Sequence, residues 1–122
     1  MMTPEAKVKA KCRKVLDDLS AYYFFPATHG YGQSGGFDIC CSYYGHFIGI
    51  ETKADSTKTP TALQTRNAKL AWESGASSLL IHNENVDKLR ELLEEIKEHE
   101  GKGFNRLFIW KIDGAWISRT KR

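Results

Sequence analysis

"GFDICCSYYGHFIGIETK", Gly36–Lys53, reads as two short strands joined by a turn, and its register decides the rest. The turn centres on Tyr44-Gly45. A two- or four-residue loop there sets Tyr43 opposite His46, Cys41 opposite Ile48 and Ile39 opposite Ile50, which is the more apolar face. On the other face Ser42 meets Phe47, Cys40 meets Gly49, and Asp38 meets Glu51. Strands deplete Asp, Glu and Lys, yet this apolar hairpin holds Asp38, Glu51 and, two residues further along the same face, Lys53. Directly opposed side chains have Cβ atoms about 4.5–5.5 Å apart, so the two carboxylates repel each other and burial sharpens the conflict. A shared proton relieves it, and so does a divalent cation.

An E-x-K tripeptide on its own is an ordinary solvated edge with a surface ion pair. The opposed Asp38, the apolar flank "FIGI" and the loop carrying Gly30, Gly32, Gly35 and Gly36 argue for more than that. Two hard oxygen donors suit Mg²⁺, which keeps several waters. Such an ion acidifies water and polarises a phosphoryl oxygen. The residue opposite Lys53 is Gly36, without a side chain, so the lysine head is free to reach the space between the carboxylates. There it orients a nucleophile or offsets charge on a phosphate.

Outward from the hairpin, the pattern is that of one mixed α/β domain over residues 1–122, an ordinary length for a single domain. Thr3-Pro4 is a helix start, followed by Val8, Cys12, Val15, Leu16 and Leu19 at helical spacing. "AYYFF" (Ala21 to Phe25) is a short strand stopped by Pro26. Thr59-Pro60 repeats the helix-start signal, and that helix runs to about Ser74 with Gly75 as C-cap. "SSLLIHN" is a buried strand. Asn85 opens an amphipathic helix with Val86, Leu89, Leu92, Leu93 and Ile96 inward, ending near Gly101. "RLFIWKI", Asp113-Gly114 and "AWIS" form a hairpin with a type I′ turn signal. The expected order is α-β-β-β-α-β-α-β-β.

Net charge is +3, too mild to name a partner. Cys12, Cys40 and Cys41 are odd in number, form no C-x-x-C and follow no secretory signal, so reduced thiols in a cytoplasmic setting are expected. No apolar run approaches the roughly 18 residues of a membrane span. His29, His46, His82 and His99 lack metal-ligand spacing, and there is no Ser-His-Asp set and no Walker loop, hence no nucleotide cofactor.

At the hairpin the sequence resembles the PD-(D/E)XK nuclease superfamily, and within it small VRR-NUC-type nucleases of the kind found in phages and archaeal-type Holliday junction resolvases. The matching text is "GQSGGFDICCSYYGHFIGIETKADSTKTPTALQ", with Asp38, Glu51-x-Lys53 and Gln64 in the following helix. The order of elements also fits over residues 4–82. Phe37 departs from the pattern, standing where the family often has Pro. The resemblance implies a restriction-endonuclease-like fold, a central mixed sheet flanked by helices with an α-β-β-β-α-β core plus the C-terminal helix and hairpin.

It further implies a Mg²⁺-dependent DNA endonuclease, with Mn²⁺ as a substitute, leaving a 5′-phosphate. Asp38 and Glu51 would ligate the metal with the Thr52 carbonyl as a further ligand. Lys53 would position the attacking water. A first-helix glutamate, here Glu5, and Gln64 would assist. Lys7, Lys9, Lys11 and Lys14 on the first helix and Lys58, Arg66 and Lys69 around the second are candidates for the DNA-binding surface. A chain this small has little room to read bases, so branched DNA such as a Holliday junction is the expected substrate. Two coordinated nicks then require a homodimer. The rival reading is a nuclease-fold protein that holds nucleic acid or a partner without cutting. Against it, a retired site has no reason to keep opposed carboxylates.

Overall fold

The computed structural model describes residues 2–27, 36–99, 106–110 and 116–120. The glycine loop at 28–35, His29 included, the Asp113-Gly114 turn and the last two residues lie outside them.

The elements follow the expected order: α1 (Pro4–Asp18), β1 (Tyr22–Phe24), β2 (Ile39–Tyr43), β3 (His46–Thr52), α2 (Ala62–Glu73), β4 (Ser77–Ile81), α3 (Val86–His99), β5 (Arg106–Trp110) and β6 (Trp116–Thr120). Strands β1 to β4 form one mixed sheet in that spatial order, and β5 and β6 form a second, two-stranded sheet. β1–β2 and β2–β3 are antiparallel, whereas β3–β4 is parallel because α2 carries the chain back between them.

The central hairpin has the register the sequence predicts, with Ile39 opposite Ile50, Cys41 opposite Ile48, Cys40 opposite Gly49 and Tyr43 opposite His46. Its turn is set by Tyr44 and Gly45, both at positive φ (50° and 78°), the backbone of a type I′ turn. Ile39, Cys41, Ile48 and Ile50 therefore share one face. They pack with Leu79 and Ile81 against Val8, Cys12, Val15 and Leu16 of α1 and Leu89, Leu92, Leu93 and Ile96 of α3. Each buried Leu or Ile in that layer is worth about 1.5–3 kcal/mol. The Tyr43 hydroxyl donates to the Leu19 carbonyl at 2.9 Å and ties the hairpin to the end of α1.

The opposite face is covered over β3 and β4 by α2, through Ala68, Leu80 and Phe37. Here Phe37 has a specific seat. Its ring lies over Gly49, so close that a Cβ there would stand 2.5 to 2.6 Å from three ring carbons. Phe47 meets the same ring edge-on at 6.3 Å. The departure from Pro at position 37 thus fills a slot cut by glycine, next to Asp38.

Two local expectations are corrected. The second helix does not start at Thr59-Pro60. Thr61 is the N-cap, because its side chain accepts from the Gln64 backbone while the Gln64 side chain accepts from the Thr61 backbone, a reciprocal capping box. The C-terminal hairpin pairs Trp110 with Trp116 and Ile109 with Ile117. A two-residue turn on Asp113-Gly114 would instead set Trp110 opposite Ile117, so the strands are one residue out of that register. Among the described residues no helix is long and apolar enough to cross a membrane.

Gly49→Ala is expected to drive Phe37 from its seat and cost about 1–3 kcal/mol, the usual scale of overpacking. Urea unfolding of the two proteins checks this. Equal midpoints would mean that the Phe37 ring slides aside freely and does not brace the strand end.

Candidate active site at the carboxyl end of strand β3

Glu51 and Thr52 end β3, where ligand sites gather in open α/β sheets. Asp38 sits one residue before β2, across from them. The structure gives the two carboxylates different supports. Asp38 Oδ2 accepts from both the Thr52 backbone N–H and the Thr52 hydroxyl, each at 2.9 Å. Glu51 is only 4% exposed. Its Oε2 accepts from the Gln64 amide, while Oε1 is buried with no hydrogen-bond partner.

The opposition seen in the sequence is therefore not shared evenly. Asp38 is anchored, and the cost falls on Glu51. Burial, then the nearby Asp38 charge, push the Glu51 carboxyl up to about 8; Lys53 pulls it down and Glu5 adds a smaller push upward. A carboxyl in that range is ready to exchange a proton for a cation at neutral pH.

Gln64 is the hub. Its Oε1 accepts from Lys53 Nζ at 3.2 Å and from the Thr61 backbone at 2.9 Å, and its amide nitrogen donates to Glu51. The ammonium and the carboxylate thus fix the amide's two ends the same way round. Lys53 was expected to reach directly between the carboxylates. Among the described residues it forms no ion pair with either; it reaches Glu51 through Gln64. Its backbone N–H donates to the Ile81 carbonyl at 2.9 Å, which holds the strand end against β4.

Thr52 has a further role besides the one expected of its carbonyl. Its backbone N–H and hydroxyl hold Asp38, a role that the reading of its carbonyl as a metal ligand missed. The signal was a hydroxyl residue next to Glu51 and beyond the end of β2. Thr61 was missed as well, although Thr-x-x-Gln just before an apolar run marks a capping box. Glu5 lies exposed in the first turn of α1, and its charge is felt at Glu51. Yet among the described residues no three His, Cys, Asp or Glu side chains are drawn together as a metal cluster. The candidate site is the pair Asp38 and Glu51, braced by Thr52, Gln64 and Lys53.

The basic candidates divide. Lys7, Lys11 and Lys14 follow the ridge that ends at Asp18. Lys14 pairs with Asp18 at 3.3 Å, and Asp18 also takes Arg90 of α3 at 3.0 Å. Lys9 lies instead on the Glu5 ridge. Arg66 and Lys69 are exposed, but at about 100° per residue they stand well round α2 from Gln64. Lys58 is exposed in the loop before α2. Burial pushes the Cys12 and Cys41 thiols up to about 12, which leaves them inert as nucleophiles.

No protein-family model and no curated protein matches the sequence. A solved structure described as a VRR_NUC domain does match, with a TM-score of 0.60 and 19% identity, over 80% of this chain and 98% of that one. The chain therefore has the VRR_NUC, restriction-endonuclease-like α/β fold, with its four-stranded mixed sheet and three helices.

The raised Glu51 carboxyl has a sign that can be tested with EDTA present. A carboxyl raised on folding stabilises the protein fully below its unfolded value, near 4.5, and that contribution is lost as pH rises through about 8. The metal-free protein should lose stability across this window. Glu51→Gln should flatten the loss and be more stable at pH 8 by roughly 1–3 kcal/mol, the scale of an unsatisfied buried polar group. Urea melts from pH 5 to 8 decide it; parallel curves would show that Glu51 stays ionised throughout.

Proposed function

We propose that this chain is a divalent-metal-dependent DNA endonuclease of the PD-(D/E)XK superfamily, hydrolysing phosphodiester bonds in branched DNA. The observation that carries the reading is Glu51. A chain does not bury a carboxylate opposite a second one, with one oxygen left unpartnered, for the sake of stability. On this fold, an orphan Glu51 Oε1 is the donor a cation needs. Asp38 Oδ1 is its counterpart, since among the described residues hydrogen bonds reach only Oδ2. The donor set is oxygen only, which suits Mg²⁺ or Mn²⁺ over softer ions.

Asp38 and Glu51 would hold the metal. When bound, it supplies Lewis-acid polarisation of the phosphoryl oxygens and lowers the pKa of a water. The remaining work falls to the protein. Thr52 keeps Asp38 from turning toward solvent. Gln64 locks the rotamer of Glu51 and holds the Lys53 ammonium on the same side of the strand. Lys53 offers a fixed positive charge for the phosphate and the incoming water. Because Gln64 already takes its amide orientation from Thr61, this arrangement is built before substrate arrives, which is how such charges act in catalysis.

Recognition would be by shape and branching, and a homodimer would give the two coordinated nicks of junction resolution. Linear, single-stranded and four-way-junction DNA, each with Mg²⁺ or with EDTA, test substrate and metal dependence together. A protein that binds DNA but leaves every substrate intact would instead be a nuclease-fold binding module.

Glu51→Gln should abolish cleavage and keep or improve DNA binding, since it removes negative charge beside the phosphate. In the wild type, millimolar Mg²⁺ should raise the melting temperature by binding only the folded state, and in Glu51→Gln that rise should vanish. Normal cutting by the variant would move the metal elsewhere. Gln64→Ala should lower kcat by about tenfold to a hundredfold, the scale reported for residues that orient metal ligands. An unchanged kcat would reduce Gln64 to a helix cap.

A further inference from the structure

A groove on the far side of Glu5 is not used by the proposed site. It runs along the first turns of α1 and is lined by Ala6, Ala10 and Phe25 among others. Glu5 stands at one end, followed by Lys9 and Arg13, and its volume is about 370 Å³. The charge of Glu5 is also felt at Glu51.

Arg13 in this groove is fixed from behind. Its Nε donates to the Tyr23 phenol oxygen at 3.2 Å, and the Tyr23 hydroxyl donates to Asp17 at 2.7 Å. The guanidinium lies 5.3 Å from the centre of the Phe25 ring, and Tyr23 meets Phe25 edge-on. Among the described residues, neither outer nitrogen of Arg13 makes a hydrogen bond or ion pair, and Lys9 forms no ion pair. An arginine anchored through Nε and stacked on a ring has given up little of its binding capacity. Its terminal fork still matches two oxygens of a phosphate.

We propose that this groove binds one unpaired nucleotide of the strand entering the site, its phosphate on Lys9 and Arg13 and its base against Phe25. The inference rests on the nuclease reading and adds a substrate class to it: DNA with an unpaired nucleotide beside the cleaved bond. The volume lies at the small end of ligand sites, enough for one nucleotide and too little for a base pair. Glu5, Lys9 and Arg13 follow one another at single helical turns, roughly 6 Å apart along the axis, close to one step of an extended strand. Stacking of a base on an aromatic is indifferent to sequence, which fits recognition by shape rather than by bases.

The test uses the whole protein with a fluorescent single-stranded oligodeoxynucleotide and its duplex. Binding is followed by anisotropy with Ca²⁺ in place of Mg²⁺, and cleavage is followed with Mg²⁺. The wild type should bind the single strand more tightly than the duplex. Arg13→Lys keeps the charge but loses the fork and the stack. It should weaken single-strand binding about fivefold to tenfold and raise KM, with kcat within about twofold and the melting temperature unchanged. Tyr23→Phe should give a smaller loss of the same kind, about twofold to threefold, because the fork is present but no longer held. Lys9→Ala should flatten the salt dependence of log K by about 0.7, one phosphate contact on a single strand. If the wild type cuts DNA and all three variants bind and cut as it does, the groove is off the strand's path while the nuclease reading stands. If the wild type neither binds nor cuts, both fall.

Discussion

The structure turns on the opposition of Asp38 and Glu51 across the ends of β2 and β3. Everything nearby either creates that opposition or makes it tolerable. The type I′ turn at Tyr44-Gly45 fixes the register, and the register brings the carboxylates to one face. Phe37, seated on Gly49, holds the entry to β2 against the sheet. Thr52 neutralises one oxygen of Asp38 with two donors, and the Gln64 amide does the same for one oxygen of Glu51. One oxygen of each carboxylate is left over, and the proposed metal binding rests on that remainder.

Much of this was legible in the sequence because the period of a strand is two. Once the turn was placed at Tyr44-Gly45, no freedom remained in which residues face each other, and the observed pairs from Ile39–Ile50 to Tyr43–His46 follow. The inward stripes of α1 and α3 were legible for the same kind of reason, with Val8, Cys12, Val15 and Leu16, and Leu89, Leu92, Leu93 and Ile96, all buried. Periodicity reports faces, and the core is made of faces.

What escaped was the side-chain hydrogen bonding, which has no period. Thr52 reads as an ordinary β-branched strand residue, and only the position of Asp38 beyond the end of β2 gives its hydroxyl and N–H a carboxylate to hold. Lys53 was read as reaching the carboxylates alone because nothing in a strand pattern places α2. The start of α2 was misread because Pro60 imitates an N1 proline. The decisive signal was the pair Thr61 and Gln64, whose reciprocal bonds outweigh the proline cue. The basic residues of α1 show the limit again: composition groups them, but the helix sends Lys14 to Asp18 and Lys9 to the other ridge.

Gln64 has two duties in one side chain. It closes the first turn of α2, and it joins Lys53 to Glu51. Helix ends are the places where native proteins open first. Fraying of this one turn would release the ammonium and the carboxylate together, without unfolding the sheet. The arrangement proposed for catalysis would then exist only for the fraction of time that the turn is closed. A chain emerging during synthesis would carry both carboxylates in its hairpin before α2 is complete, and it would be unarmed until that turn winds up.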